Sequence, residues 1–329
     1  MKNLMNAVDN LLAESLDGFA VAHADIVVLS PEREFVRRKR SKPGKVALIS
    51  GGGTGHEPLH TGFVGVGMLD AACPGQIFTS PTPNQMLNAA QAVDGGAGIL
   101  FIVKNYSGDM MNFEMAAEML DQDNAIVIVN DDVAVEDSTY TTGRRGVAGT
   151  LIVEKILGAA AERGDSLQAL KTLGDAVNKA TASMGVALTS CTVPAAGKPT
   201  FQIGANEMEV GVGIHGEPGR RRVPLASADD IATELLGSVI KDLGLQRGQE
   251  ILLLVNGFGG TPLIELYLMV NAAHQILADA GIKVVRHLTG SYVTSLEMAG
   301  CSITATVMEP EWLALWDAPV HTAALRWGM

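Results

Sequence analysis

Two histidines stand in glycine-rich surroundings that suit chemistry better than packing. His56 lies in SGGGTGHEP (residues 50–58) and His215 in GVGIHGEPG (residues 211–219). An imidazole, with an unperturbed pKa near ~6.5, exchanges protons at neutral pH. Neighbouring glycines leave such a ring accessible and let the backbone take conformations closed to other residues. His56 is therefore a candidate for proton transfer, and His215 for nucleophilic attack. The plainer reading of each is a hydrogen-bonding histidine on a turn. A third segment, KNYSGD (residues 104–109), places a cation, an amide, a phenol, a hydroxyl and a carboxylate together. Such a density of polar chemistry is unlike a simple connection, although Asp109 is also suited to cap the helix that follows.

The glycines around His56 invite comparison with phosphate loops, in which backbone N–H groups and a helix N-terminus face an anion. A dinucleotide fingerprint needs GxGxxG, but the sixth position counted from Gly51 is His56, and no GK[ST] of a Walker loop follows. GGGTG does resemble the phosphate loop of tubulin-like GTPases, although His56 takes the place of the small hydroxyl residue usual there.

These segments follow short apolar runs. KVALIS (45–50) leads into GGGTG, ILFIV (99–103) into KNYSGD, AIVIV (125–129) into NDD, and ILLLV (251–255) into NGFGGTP. Each run predicts a buried strand handing over to a loop. Apolar residues at three- and four-residue steps predict helices over 83–93, 112–120, 149–163, 166–180 and 262–280. Strands alternating with helices imply an α/β fold with glycine-rich loops at strand ends, where open parallel sheets collect their ligands. A chain of 329 residues suggests two α/β domains of roughly 100–200 residues each. A change to a Pro/Gly-rich stretch places the boundary at 1–182 and 183–329, with the tryptophan-bearing tail at about 310–329 packing back onto the first domain.

Hydrophobic residues make up 47% of the chain and charged ones 18%, which supports a packed core and excludes disorder. The net charge of −12 disfavours nucleic acid and anionic membranes as partners. Cys73, Cys191 and Cys301 lie far apart without CxxC pairing, as in a reducing, cytoplasmic setting. Leu4, Met5, Val8, Leu11, Leu12, Leu16 and Phe19 recur at helical spacing with charges between them, so the N-terminus reads as an amphipathic helix and not a signal peptide. No apolar run approaches the ~20 residues of a membrane span.

Taken together and in order, SGGGTGHEP, ACPGQIFTSPTPNQM, KNYSGD, TGRRGVAGT, TVPAAGKP, EMEVGVGIHGEPG and WDAPVHTAALRWG strongly resemble the ketose-binding K subunits of dihydroxyacetone kinases, over essentially the whole chain. The resemblance implies that a short ketose, most simply dihydroxyacetone, is held covalently as a hemiaminal on His215. It implies that Gly53, His56, Lys104 and Asp109 line the ketose site, with Asp109 accepting the proton of the attacking terminal hydroxyl and His56 moving protons as the hemiaminal forms. It also implies a homodimer, with the ketose on the N-terminal domain and His215 reaching it from beyond the boundary. The chain offers no Walker lysine and no helical nucleotide-binding domain after the K-type region. A cofactor and a metal are therefore expected not on this chain but on a separate L subunit, carrying ADP or ATP with Mg²⁺. That subunit is recharged from phosphoenolpyruvate through a phosphotransfer protein, or uses ATP directly.

Other readings remain open at this level. A ketose-sensing co-regulator of transcription would keep the same histidine, and L-erythrulose offers the same carbonyl and terminal hydroxyl as dihydroxyacetone. Arg220, Arg221 and Arg222, with Arg144 and Arg145 in TGRRG, are either solvated loop arginines or a surface for the donor's phosphates or an acidic partner.

Overall fold

The computed structural model describes residues 3–134, 143–217 and 219–329. Thr142 of TGRRG and Pro218 of the His215 segment lie outside them. The strands are β1 (Val27–Leu29), β2 (Val36–Arg38), β3 (Ala47–Thr54), β4 (Gly65–Val66), β5 (Ala71–Ile77), β6 (Ile99–Lys104), β7 (Asn124–Val129), β8 (Thr181–Ala187), β9 (Glu207–Val210), β10 (Arg221–Pro224), β11 (Glu250–Gly257), β12 (Lys283–Gly290), β13 (Gly300–Val307), β14 (Val320–Thr322) and β15 (Arg326–Trp327). The helices are α1 (Leu11–Ala22), α2 (Pro83–Val93), α3 (Ser107–Met119), α4 (Gly149–Arg163), α5 (Leu167–Lys179), α6 (Ala228–Leu243), α7 (Leu263–Ala280) and α8 (Pro310–Asp317).

The chain forms two compact units, divided differently from the single boundary near residue 182. Residues 1–129, 151–176 and 311–329 make the first unit, and 130–150 with 177–310 the second. A sequence scan sees composition along the chain, whereas unit membership is set by which sheet each segment covers. The first unit carries a sheet of order β1-β2-β5-β3-β6-β7, in which β5, β3, β6 and β7 run parallel and β1 and β2 extend it antiparallel. Every residue of β6 is buried, the signature of a central parallel strand covered on both faces. Its core packs Ile49, Phe101 and Val103 from the strands against Met86 and Ala89 of α2 and Phe113 of α3.

In the same unit the tail adds a small sheet of order β15-β14-β4. His321 there pairs with Val66, and Trp316 is buried with its ring 5.6 Å from that of Trp327.

The second unit has a sheet of order β10-β9-β8-β13-β11-β12, and α6 and α7 supply Leu235, Leu236 and Leu266 to its core. It is mostly antiparallel, β11 with β12 being its one parallel pairing among the described residues. Parallel pairing therefore joins β5, β3, β6 and β7 in the first unit and only β11 with β12 among the strands of the second. Among the described residues no helix is long and apolar enough to cross a membrane.

Two local departures from expectation shape the candidate site. The strand predicted to stop at Ser50 continues through the glycines, with Gly51, Gly52 and Gly53 paired to Cys73, Pro74 and Gly75 of β5. The helix predicted from residue 112 begins at Ser107. Asp109 thus sits within its first turn and does not cap it; the N-cap position is Tyr106.

Candidate functional site

Lys104 ends β6 and is fully buried. Its ammonium lies 2.9 Å from His60 Nε2, 3.4 Å from the carbonyl oxygen of Gly51 and 3.6 Å from Asp109 Oδ2. The Asp109 carboxyl is buried at the N-terminal end of α3, where partial positive charge on the first turn favours an anion. Burial nonetheless raises its pKa, while Lys104 and a hydrogen bond with Ser80 act in the opposite direction. A charged pair sunk at the carboxyl ends of strands adds little to stability, because desolvation consumes the Coulombic gain. Such placement fits ligand chemistry.

The glycine segment makes room for this pair. A Cβ on Gly52 would collide with the Lys104 ammonium, and one on Gly53 would stand 2.5 Å from the Thr79 nitrogen and 2.7 Å from Phe78 Cα. The glycines are therefore required by close approach and not by turn conformation, which is why they lie in a strand. His56 follows them, fully buried, with its ring stacked on Phe78 at 5.0 Å between centroids and 20° between planes. Phe78 holds a left-handed backbone, φ 54°, which costs a bulky residue about 1–3 kcal/mol and is typical of functional segments. Beside His56, Glu57 accepts the Gly55 N–H at 2.9 Å, and burial raises its pKa.

Sequence reasoning missed the layer beneath Lys104. His60 turns its Nδ1 to Glu154 Oε1 at 2.7 Å and to Ser50 Oγ at 3.0 Å. The Ser50 hydroxyl lies 2.7 Å from the carbonyl oxygen of Ile102, to which it donates. Burial holds His60 well below its ordinary pKa, with Lys104 and His56 adding to the effect, so the ring is neutral. Burial likewise pushes Glu154 up to about 8 despite the nearby positive charge of Lys104. The available signals were the HxxxH spacing of HEPLH and a lone carboxylate in the apolar run TLIVEKIL of α4.

In the second unit, His215 is half-buried. The two ends of its loop are gripped by one fully buried side chain. Arg145 donates from Nε to Asp132 Oδ2 at 2.7 Å, from Nη1 to Glu217 Oε1 at 3.1 Å and from Nη2 to the Gly211 carbonyl at 2.7 Å. Glu217 in turn accepts the His215 backbone N–H at 3.0 Å. Gly216 has φ +70°, and a Cβ there would meet Thr200 Oγ1 at 2.6 Å and Cys191 Sγ at 2.8 Å. Burial raises Asp132 to about 6, with Arg145 pulling the other way.

Arg145 is thus no surface contact for a donor, because two carboxylates and a carbonyl absorb it inside the fold. Arg144 pairs with Asp242 at 2.9 Å, Arg222 with Glu209 at 2.9 Å, and Arg221 with Glu234. Arg220 is exposed. The structure thus gathers Gly53, His56, Lys104 and Asp109 in the first unit and sets His215 on a braced loop of the second. No cluster suited to a metal ion occurs among the described residues.

Comparison with known proteins adds four findings. A family model described as the Dak1 domain matches residues 17–324. The chain is 49% identical to the dihydroxyacetone-binding subunit DhaK of the PEP-dependent dihydroxyacetone kinase of Escherichia coli K12, over 100% of both chains. It is also 49% identical to the corresponding subunit of the PTS-dependent dihydroxyacetone kinase 1 of Listeria innocua, over 98% of this chain and 100% of that one. Among solved structures, the dihydroxyacetone kinase operon co-activator Dha-DhaQ superposes with a TM-score of 0.90 at 33% identity, covering 94% of this chain and 97% of that one.

Proposed function

Because the chain belongs to the Dak1 family and matches DhaK subunits along its whole length, we propose that it is the dihydroxyacetone-binding subunit of a dihydroxyacetone kinase. It holds the ketose as a hemiaminal on His215 while a terminal hydroxyl is phosphorylated to dihydroxyacetone phosphate. In the addition step an imidazole nitrogen of His215 bonds to the carbonyl carbon and the C=O π pair moves onto oxygen. That oxygen takes a proton from His56, and the imidazolium left behind gives up its ring proton, which replaces the one His56 supplied. Attachment fixes a molecule too small to be oriented by weak contacts. It also rejects glycerol, which has no electrophilic carbon.

In the transfer step Asp109 takes the proton of the attacking hydroxyl, and Lys104 orients a ketose oxygen. Positioned proton transfer contributes typically 10²–10⁴-fold, about 3–5 kcal/mol. The phosphoryl group comes from a separate L subunit bearing ADP or ATP with Mg²⁺, with phosphoenolpyruvate as the ultimate donor, and the K-type chain works as a homodimer. The observation that carries the reading is the buried Lys104–Asp109 pair at 3.6 Å, beside glycines whose missing side chains leave it room.

A second reading, a ketose-sensing co-regulator, is favoured by the likeness to the operon co-activator. It shares the covalent site and lacks the transfer step. L-erythrulose is the alternative substrate.

Gentle intact-mass measurement with dihydroxyacetone, L-erythrulose or glycerol tests the covalent step. The expected result is addition of the full ketose mass, absent with glycerol and absent in His215→Ala; a lysine imine would instead show loss of water. No adduct on the wild-type protein overturns the mechanism. An adduct without turnover beside an active donor subunit moves the reading to the sensor.

A further inference from the structure

We propose that Lys104, His60 and Glu154 form a buried proton relay, in which Glu154 acts through His60 to let Lys104 change charge without meeting solvent. The inference rests on the ketose-kinase reading of the site and extends it to two residues that the reading does not use.

Hydrogen-bond accounting fixes the arrangement. Ser50 has one hydroxyl proton and donates it to the Ile102 carbonyl at 2.7 Å, so towards His60 Nδ1, 3.0 Å away, it acts only as an acceptor. Nδ1 therefore carries the ring proton, shared between Ser50 and Glu154 Oε1 at 2.7 Å. Nε2 is then the lone pair that accepts from the Lys104 ammonium at 2.9 Å. The three groups are joined through a ring that has a proton on one side and a lone pair on the other.

Moving one proton at each end is balanced. Lys104 gives a proton to Nε2 as Nδ1 gives its own to Glu154, and an ion pair becomes a neutral amine and a neutral acid. The two ring nitrogens exchange roles and nothing else is consumed. Neutral Lys104 is then able to take up the proton that Asp109 receives from the ketose hydroxyl. Lys104 is then an ammonium again while Glu154 stays protonated; once Lys104 passes the ketose proton to the departing phosphate ester, reversal of the relay restores the ammonium and the Glu154 carboxylate for the next turnover.

The surroundings favour such sharing. His60 and Glu154 are both buried, and Glu154 Oε2 has no hydrogen-bond partner among the described residues. A permanently ionised carboxylate there would be poorly compensated. The charged and titratable groups facing the relay are Lys104 at the end of β6, Asp109 in α3, His56 in the segment after β3, and Glu154 itself in α4. With burial holding His60 neutral and raising Glu154 to about 8, the acid and its conjugate base are close in energy near neutral pH.

Glu154→Gln is the discriminating variant, because its amide oxygen still accepts from Nδ1 but cannot take the proton. Expected are a ketose adduct on His215 as in the wild type, kcat lowered about 10²-fold with KM little changed, and loss of the limb of the kcat–pH profile that titrates near 8. Glu154→Asp, which keeps an acid, recovers part of the rate. An unchanged rate and pH profile in Glu154→Gln overturns the relay, as does equal impairment of the Asp and Gln variants.

A measurement on the unaltered protein stands beside these. ¹⁵N spectra of labelled histidine are expected to show His60 neutral throughout pH 6–8, and an imidazolium titrating near ~6.5 overturns the relay. Absence of any wild-type adduct counts instead against the covalent ketose reading, leaving the His60 spectrum to decide the relay by itself.

Discussion

His60 illustrates how a single buried ring governs the behaviour of its neighbours. With its folded pKa well below 6.5, the ring binds fewer protons in the folded than in the unfolded chain as pH falls through 6.5. Stability is therefore full above that pH and declines below it, towards the folded value. Replacing His60 by Gln removes this contribution, and thermal unfolding from pH 7 to 5 is expected to show a shallower acid decline than in the wild type. A parallel decline in the two proteins would show that His60 titrates normally. His56 is set differently, against the face of Phe78, where an apolar wall keeps the imidazole in place beside the glycines. Its candidacy was legible from residue type and spacing, but its aromatic support was not, because Phe78 lies on a separate segment.

Strand β3 shows why an element has to be judged by what approaches it. Glycines following an apolar run read as a loop, yet here they stay extended in β3, where neighbouring segments come too near for any side chain. Two substitutions one residue apart should consequently fail in different ways. Gly52→Ala meets the tip of a lysine side chain, which is able to shift, whereas Gly53→Ala meets the backbone of Phe78 and Thr79, which is not. Gly52→Ala is expected to fold with Tm within a few degrees of wild type and to lose ketose binding about tenfold or more as Lys104 is displaced. Gly53→Ala should lose about 1–3 kcal/mol of stability, as overpacked sites do. Calorimetry of both variants, with and without ketose, checks the contrast, and equal stability would remove the close-approach argument.

Helix α3 teaches a related point. Its apolar spacing begins late because the first turn carries Ser107, Gly108 and Asp109, none of which is a large apolar residue. Periodicity therefore located the body of the helix and not its start.

Over the whole molecule, the two units each solve one placement problem. The first sinks Lys104 and Asp109 at strand ends, and the second braces His215. Arg145 is the keystone of that brace. Arg145→Met would leave Asp132 and Glu217 buried without their counter-charge, and one-sided loss of a buried ion pair costs about 3–5 kcal/mol. Denaturant unfolding should show a loss of that order, together with a weaker His215 adduct because Glu217 no longer holds the loop. A loss below about 1 kcal/mol would mean that the loop is held by other means. The adjacent Arg144, half-exposed beside Asp242, is not expected to share this sensitivity.

Much about this protein follows from sequence: the alternation of strands and helices, the positions of β6, β7, β11, α2 and α4, the candidate residues, and the likeness to ketose-binding kinase subunits. These are local properties, written in periodicity and in contiguous motifs, so neighbouring residues suffice to read them. Other features are decided only in three dimensions. His60 and Glu154 stand 94 positions apart yet share a hydrogen bond, Arg145 reaches Glu217 across 72, and residues 130–150 belong to a unit far along the chain. Burial, which shifts pKa values and converts a loop arginine into an internal brace, depends on what folds over a residue. No stretch of sequence carries that information alone, because the low-dielectric surroundings are supplied by segments remote in the chain.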